Sequence, residues 1–475
     1  MAIQSARLLS RSQHVLPGLL HISEVFFEVP KNYAAPNSGT LKLFGRIANK
    51  VEIPAASARL PSDLISQKPF LVFLEGGPGM GNPQPQDAPQ TKFFLDRGYQ
   101  LLYLDYRGTG LSTPINAAHV TKLGDARAQA DYLKLFRQDS IVRDLEAVRQ
   151  CLTADFPKDQ KQWSILGQSF GGFVSLTYLS TYPQGLRESF ITGGLAPVGK
   201  KPDEVYEATF GHLVERNRAY YKKFPGDVER VKRIVSHISD SDGGKIDLPA
   251  GGVLTAGRFL SIGIEFGMHG GLNCVHTLVL KMSTDLENFG FLTRPTLHAL
   301  ENNALFDVAP IYGLLHEPIY CDGPGMTSNW SAARVGGKLK EFSWLPEAGN
   351  PSAKFNIPAQ GEPIFFTGEM VFPFHFDVFP ELKELRVAAE LLAKEDQWEP
   401  LYDVEALKKN EHDVPVYAAS YMEDMYVDIK FARDTADMVK GIKVYETNGW
   451  YHNAIRAEAV GVLTELCRLR DDTKD

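Results

Sequence analysis

Trp163-Ser164-Ile165-Leu166-Gly167-Gln168-Ser169-Phe170-Gly171-Gly172 opens with a short apolar run, then turns through glycines and a serine into the apolar stretch Phe173 to Leu179. The opening residues read as a strand buried on both faces, where polar alternation disappears, and Phe173 to Leu179 reads as the helix that follows. The turn between them carries the G-x-S-x-G pattern. A serine in such a strand-to-helix turn is held exposed at the positive end of a helix, and Gly167, Gly171 and Gly172 let the backbone turn closely without side-chain clashes. Ser169 is therefore a candidate nucleophile.

Working outward, Phe70 to Leu74 and Tyr99 to Leu104 are also short apolar runs. The first stops at Glu75-Gly76-Gly77-Pro78-Gly79 and the second at Asp105-Tyr106-Arg107-Gly108-Thr109-Gly110. Both suit a parallel sheet, with the glycine-rich segments at its C-terminal edge, where ligands bind in open α/β sheets. Ile22 to Val29 and Leu41 to Ile47 predict an antiparallel pair leading into that sheet, and Ser140 to Leu152 predicts a helix packed on it. Glu188 to Thr192, Pro415 to Ala419 and Gly441 to Glu446 continue the strand pattern, with a last helix expected over Ala454 to Arg468. Between about 198 and 380 long polar helices and aromatic loops take over. The expected organisation is an α/β core of residues 1–197 and 381–475, with a large, mainly helical cap of residues 198–380 inserted over the C-terminal edge of the sheet.

The chain has 475 residues, and 44% of them are hydrophobic, enough for a sizeable core. Fifty Lys and Arg against 58 Asp and Glu leave a net charge of −8, with no basic run, so neither a nucleic-acid groove nor an anionic-membrane surface has a charge basis. Four scattered cysteines, with no C-x-x-C, argue against a disulfide framework or a cysteine-rich zinc module and fit a reducing compartment. No apolar stretch is long enough for a membrane span. The first 23 residues hold Arg7 and Arg11 and no acidic residue, as mitochondrial presequences do, but with no secretory h-region, and they read as the N-terminal arm of a cytoplasmic enzyme. Oligomeric state leaves no trace in the sequence.

A serine needs a base, and the base an orienting acid, which in this architecture follow the nucleophile in the order acid then histidine. Asp424 follows the strand at 415–419 and His452 follows the strand at 441–446. Asp424 is favoured over Glu423 and Asp428 because Met425 and Tyr426 can pack the returning loop. His412 precedes its strand in a charged run and is read as solvent-facing. His316 and His375 are alternative ligands or pocket donors, but no H-E-x-x-H is present, since Tyr320 stands where the second histidine would be, and metal-free catalysis with no cofactor is expected. The Gly76–Gly79 loop, through Gly77, and the N–H of Phe170 are the expected oxyanion donors.

Gly76-Gly77-Pro78-Gly79, Asp105-Tyr106-Arg107-Gly108-Thr109-Gly110-Leu111-Ser112 and Gly167-Gln168-Ser169-Phe170-Gly171-Gly172 together resemble the proline iminopeptidases, a peptidase branch of the α/β-hydrolases. Tyr421 to Val427 is similar to that family's acid-bearing turn and Asn448 to His452 to its histidine loop. His316 to Cys321 and Thr367 to Met370 resemble cap segments of the longer microbial members. The resemblance implies an exopeptidase that releases an unblocked N-terminal residue, preferentially proline, from short peptides through an acyl-enzyme. It also implies cap carboxylates that bind the substrate amine, mapped onto Glu317 with Glu369 as a second negative group. Two other readings are a related hydrolase of small esters or amides and a catalytically silent peptide-binding protein.

Overall fold

A computed structural model describes residues 3–18, 20–50, 67–302, 305–345, 355, 357–359 and 361–472. The strands are β1 (Arg7–Leu16), β2 (Leu20–Pro30), β3 (Thr40–Lys50), β4 (Phe70–Leu74), β5 (Gln100–Leu104), β6 (Trp163–Gln168), β7 (Leu186–Thr192), β8 (Ile246–Asp247), β9 (Val253–Leu254), β10 (Val416–Tyr421) and β11 (Ile442–Thr447). Nine of them form one sheet in the order β1-β2-β3-β5-β4-β6-β7-β10-β11. From β1 to β5 neighbours run antiparallel, and from β5 to β11 they run parallel.

Every residue of β4, β5, β6 and β10 is buried, which is why these strands lack polar alternation. Alternate residues face opposite layers. Val72, Leu74, Leu102 and Ile165 share a core with helices Gln138–Leu152 and Phe170–Thr181, whereas Leu71, Phe73, Leu101 and Leu166 pack with Phe94, Leu463 and Leu466 on the other side. Burying each such side chain contributes roughly 1.5–3 kcal/mol, so the two-sided apolar runs hold the sheet together.

Residues 7–16, expected as an arm, instead form the edge strand β1, paired antiparallel to β2. Most of its residues are exposed, and no apolar stripe marks it. The C-terminal helix is interrupted: Ala454–Ala457 and Ala459–Arg470 are separated at Glu458, whose φ of −134° leaves the helical region.

The connection from β7 to β10 runs through residues 193–415 and carries helices Pro202–Lys223, Asp227–Asp240, Gly271–Phe289 and Pro310–Leu315 among others. Its strands among the described residues are the two-residue pair β8 and β9. Phe366, Phe372, Phe374, Phe376 and Phe379 are buried core residues of this helical layer.

Candidate active site

The strand β6 ends at Gln168, and helix Phe170–Thr181 begins one residue later. Ser169 between them has φ 53° and ψ −122°, a conformation unfavourable for a residue with a Cβ. It is held there by its N–H donating to Thr192 O at 3.0 Å and by its carbonyl accepting from Gly172 N at 2.7 Å. The glycines are sterically required. A Cβ on Gly171 would lie 1.9 Å from Leu74 O, and one on Gly172 2.3 Å from Gly194 O. The elbow is thus wedged between the ends of β4 and β7.

Asp424 sits in the turn after β10, and His452 in the loop after β11. His452 Nε2 is 2.8 Å from Ser169 Oγ, and its Nδ1 is 2.7 Å from Asp424 Oδ2. Asp424 Oδ1 accepts the N–H groups of Tyr426 and Val427 at 2.8 and 3.0 Å. The Tyr426 ring meets the His452 imidazole edge-on, with centroids 4.6 Å apart. All three side chains are buried. Burial alone would lower the His452 pKa, but the charge and hydrogen bond of Asp424, with a further contribution from Glu369, hold it above the ordinary imidazole value.

The competing acids lie elsewhere. Glu423 is exposed, and Asp428 caps helix Ile429–Met438 while pairing with His212 at 2.8 Å. His412 is exposed. His375 is a core residue whose Nε2 is 2.9 Å from Ser261 Oγ, and burial pushes its pKa down to about 3.

Among the described residues, neither the Gly77 N–H nor the Phe170 N–H has a protein acceptor. Phe170 follows the serine directly, and Gly77, at φ 130°, takes a backbone conformation that favours glycine. The loop carrying Gly77 is tied to its neighbour by Asp105, whose carboxylate accepts Asn82 N at 2.7 Å and Leu111 N at 2.9 Å. Arg107 lies wholly buried, with two bonds to Asp144 at 2.6 and 2.7 Å and three to the carbonyls of Pro30, Lys31 and Leu135. Asp105 and Arg107 thus hold the loops in place.

The two cap carboxylates have different surroundings. Glu317 is buried, accepts Ala332 N at 2.9 Å and Ser331 N at 3.1 Å, and so caps helix Ser331–Gly336; burial raises its pKa to about 7 against the opposing effect of those N–H groups. Glu369 accepts the Tyr312 hydroxyl and lies 3.6 Å from His316 Nε2. Burial would raise its pKa, but His316, His452 and Tyr312 together hold it below the ordinary range. His316 Nδ1 is in turn 3.2 Å from the Tyr206 hydroxyl. Of the two cap carboxylates, Glu369 is thus the one whose charge acts on the His452 imidazole, alongside that of Asp424.

Sequence reasoning did not single out Tyr312 or Tyr206, and it took Tyr426 only as packing for the acid loop, not as the ring that meets the imidazole. Tyr312, His316 and Tyr320 recur at intervals of four, and that spacing was the available signal; the helix Pro310–Leu315 ends before His316, yet the three rings still meet in turn.

An alpha/beta hydrolase fold family model matches residues 69–236. Proline iminopeptidase aneH of Aspergillus aculeatus is 39% identical over 473 residues, covering 100% of this chain and 99% of that protein. The chain belongs to the proline iminopeptidase family. A proline iminopeptidase of Aeromonas sobria is 38% identical over 97% of this chain and 98% of its own length, so this family relationship also extends through the cap.

Proposed function

We propose that the chain is a serine aminopeptidase that releases an unblocked N-terminal residue, preferentially proline, from short peptides. The observation that carries this reading is the Ser169–His452–Asp424 hydrogen-bonded chain beneath the cap, with the Glu369 carboxylate within electrostatic reach of its imidazole. In this reading residues 198–380 act as the cap over a core of residues 1–197 and 381–475.

Ser169 Oγ attacks the carbonyl of the first residue as His452 Nε2 takes its proton. Asp424 orients the imidazole and stabilises the imidazolium. The Gly77 and Phe170 N–H groups receive the oxyanion. His452 then protonates the departing amine and activates the water that hydrolyses the acyl-enzyme. Side chains and backbone serve each of these steps, so no cofactor enters them.

The resemblance maps the substrate ammonium onto Glu317 with Glu369 second; because Glu317 is engaged by the N–H groups of helix Ser331–Gly336 while the Glu369 charge acts on His452, the ammonium is assigned here to Glu369, with Glu317 as the second negative group. Both carboxylates act on the buried Tyr206 and Tyr320 hydroxyls, whose pKa values are raised first by burial and then by these charges among others. Aromatic rings beside a carboxylate suit a cation stripped of water. The four cysteines are unpaired thiols, in keeping with a cytoplasmic enzyme. Among the described residues no helix is long and apolar enough to cross a membrane.

A serine-reactive phosphonate tests the nucleophile. It should label Ser169 in the native protein, and folded S169A should lose both labelling and turnover of a prolyl arylamide. Turnover by folded S169A near the wild-type rate would overturn the assignment.

A further inference from the structure

The loop that carries His452 is gripped by the cap on both sides of the imidazole. Asn453, the residue after it, presents Oδ1 to the backbone N–H of His269 at 2.9 Å and to the His269 ring Nδ1 at 2.7 Å. Tyr451, the residue before it, directs its N–H toward His269 Nε2 at 3.5 Å, and the two rings meet edge-on with centroids 5.3 Å apart. Because Asn453 Oδ1 can only accept, His269 donates at Nδ1 and keeps Nε2 as an acceptor. Arg216 of helix Pro202–Lys223 completes the grip. Its guanidinium lies 4.6 Å from the Tyr451 ring centre, and its Nε donates to Phe266 O at 2.9 Å.

The same cap segment reaches the acid turn. The carbonyl of Ile264 accepts the Tyr426 hydroxyl, and Gly267 packs so closely that a Cβ there would come within 2.4 Å of Tyr426 Cζ. Tyr426 in turn stands edge-on to His452. The core strands supply the ends of these loops, but the residues flanking His452 are fixed from the cap.

We infer that His269 is a positioning residue for His452: the cap, besides covering the site, sets the imidazole through Tyr451 and Asn453. The inference rests on the reading of Ser169, His452 and Asp424 as the catalytic relay. It follows that a change at His269 acts on the chemical step rather than on substrate binding, since His269 contacts the flanks of the base and not the assigned amine site.

The experiment uses the full chain carrying H269A, H269N, N453A or H269A/N453A. Steady-state kinetics on a prolyl arylamide, the rate of phosphonate labelling at Ser169 and Tm are measured for each. H269A is expected to lose about 10- to 100-fold in kcat, the scale of a small misplacement of a reacting group, with KM within about twofold. Labelling should slow in parallel. H269N, whose amide nitrogen can take the place of Nδ1, should recover most of both rates. N453A, which keeps the Tyr451 contact, should lose part of what H269A loses, and the double variant should be no worse than H269A, because both remove the His269–Asn453 interaction. If H269A does not fold, H269N and N453A carry the comparison. Wild-type kcat and labelling in H269A or N453A would overturn the inference, as would a loss confined to KM, or equal losses of rate and Tm in H269A and H269N. Labelling needs no peptide, so slowed labelling in H269A alongside a wild-type protein inert to prolyl arylamides would sink the substrate assignment and leave this inference standing.

Discussion

The two oxygens of Asp424 are divided between imidazole and backbone: Oδ2 lies 2.7 Å from His452 Nδ1, while Oδ1 accepts the N–H groups of Tyr426 and Val427. An asparagine here would keep its oxygen on those N–H groups and turn its NH2 toward His452. The imidazole would then carry its proton on Nε2, where it cannot take one from Ser169. D424N is expected to fold and to lose about 10⁴-fold in kcat, whereas E423Q, at an exposed position, stays near wild type. Activity in D424N with inactivity in E423Q would move the acid by one residue.

Asp424 and Glu369 both favour the protonated form of His452, against the opposing effect of burial. Catalysis needs the neutral base, so the acid limb of kcat/KM should lie above the ordinary histidine value of 6.5. Removing a neighbouring negative charge weakens the imidazolium, so E369Q should move that limb to lower pH. An unmoved limb would mean that the Glu369 charge does not reach the base.

Glu317 makes a statement about stability. Its folded pKa of about 7 exceeds the ordinary 4.5, so between those values the folded chain holds more protons than the unfolded one. The stability contributed by this group is therefore complete below pH 4.5 and is lost as pH rises through 7. Tm measured from pH 5 to 8 should show the largest advantage of wild type over E317Q at the acid end. An advantage that grows with pH would contradict the burial argument.

Arg107 and Asp144 form a buried pair in which removing one partner strands the other. R107M should cost about 3–5 kcal/mol in urea unfolding, and R107M/D144L should regain a good part of it. A cost below 1 kcal/mol, on the scale of an exposed pair, would show that the pair is not buried in solution.

The apolar runs at 70–74, 99–104 and 163–166 made the central strands legible, because a strand buried on both faces writes its burial into consecutive residues. β1 wrote nothing comparable, since its side chains are mostly exposed and its pairing runs through the backbone. Ser169, Asp424 and His452 were readable because each stands just past a strand, and the structure brings their side chains to hydrogen-bonding distance. The cap relationships were not readable. Glu317 with Ser331, His316 with Glu369 and His269 with Asn453 join segments 14, 53 and 184 residues apart through tertiary packing alone. Glu317 and Glu369 both appeared as acids near aromatic residues, and only their partners distinguish a helix cap from a carboxylate beside the base.

The central claim is that a free N-terminal amine is what the site recognises. The most direct test is the ratio of kcat/KM for prolyl-β-naphthylamide to that for its N-acetyl analogue with the wild-type protein. Acetylation removes the charge assigned to Glu369, so the free compound should be preferred by about 10- to 100-fold, the scale of a hydrogen bond to a charged group. Equal use of the two compounds would contradict the account.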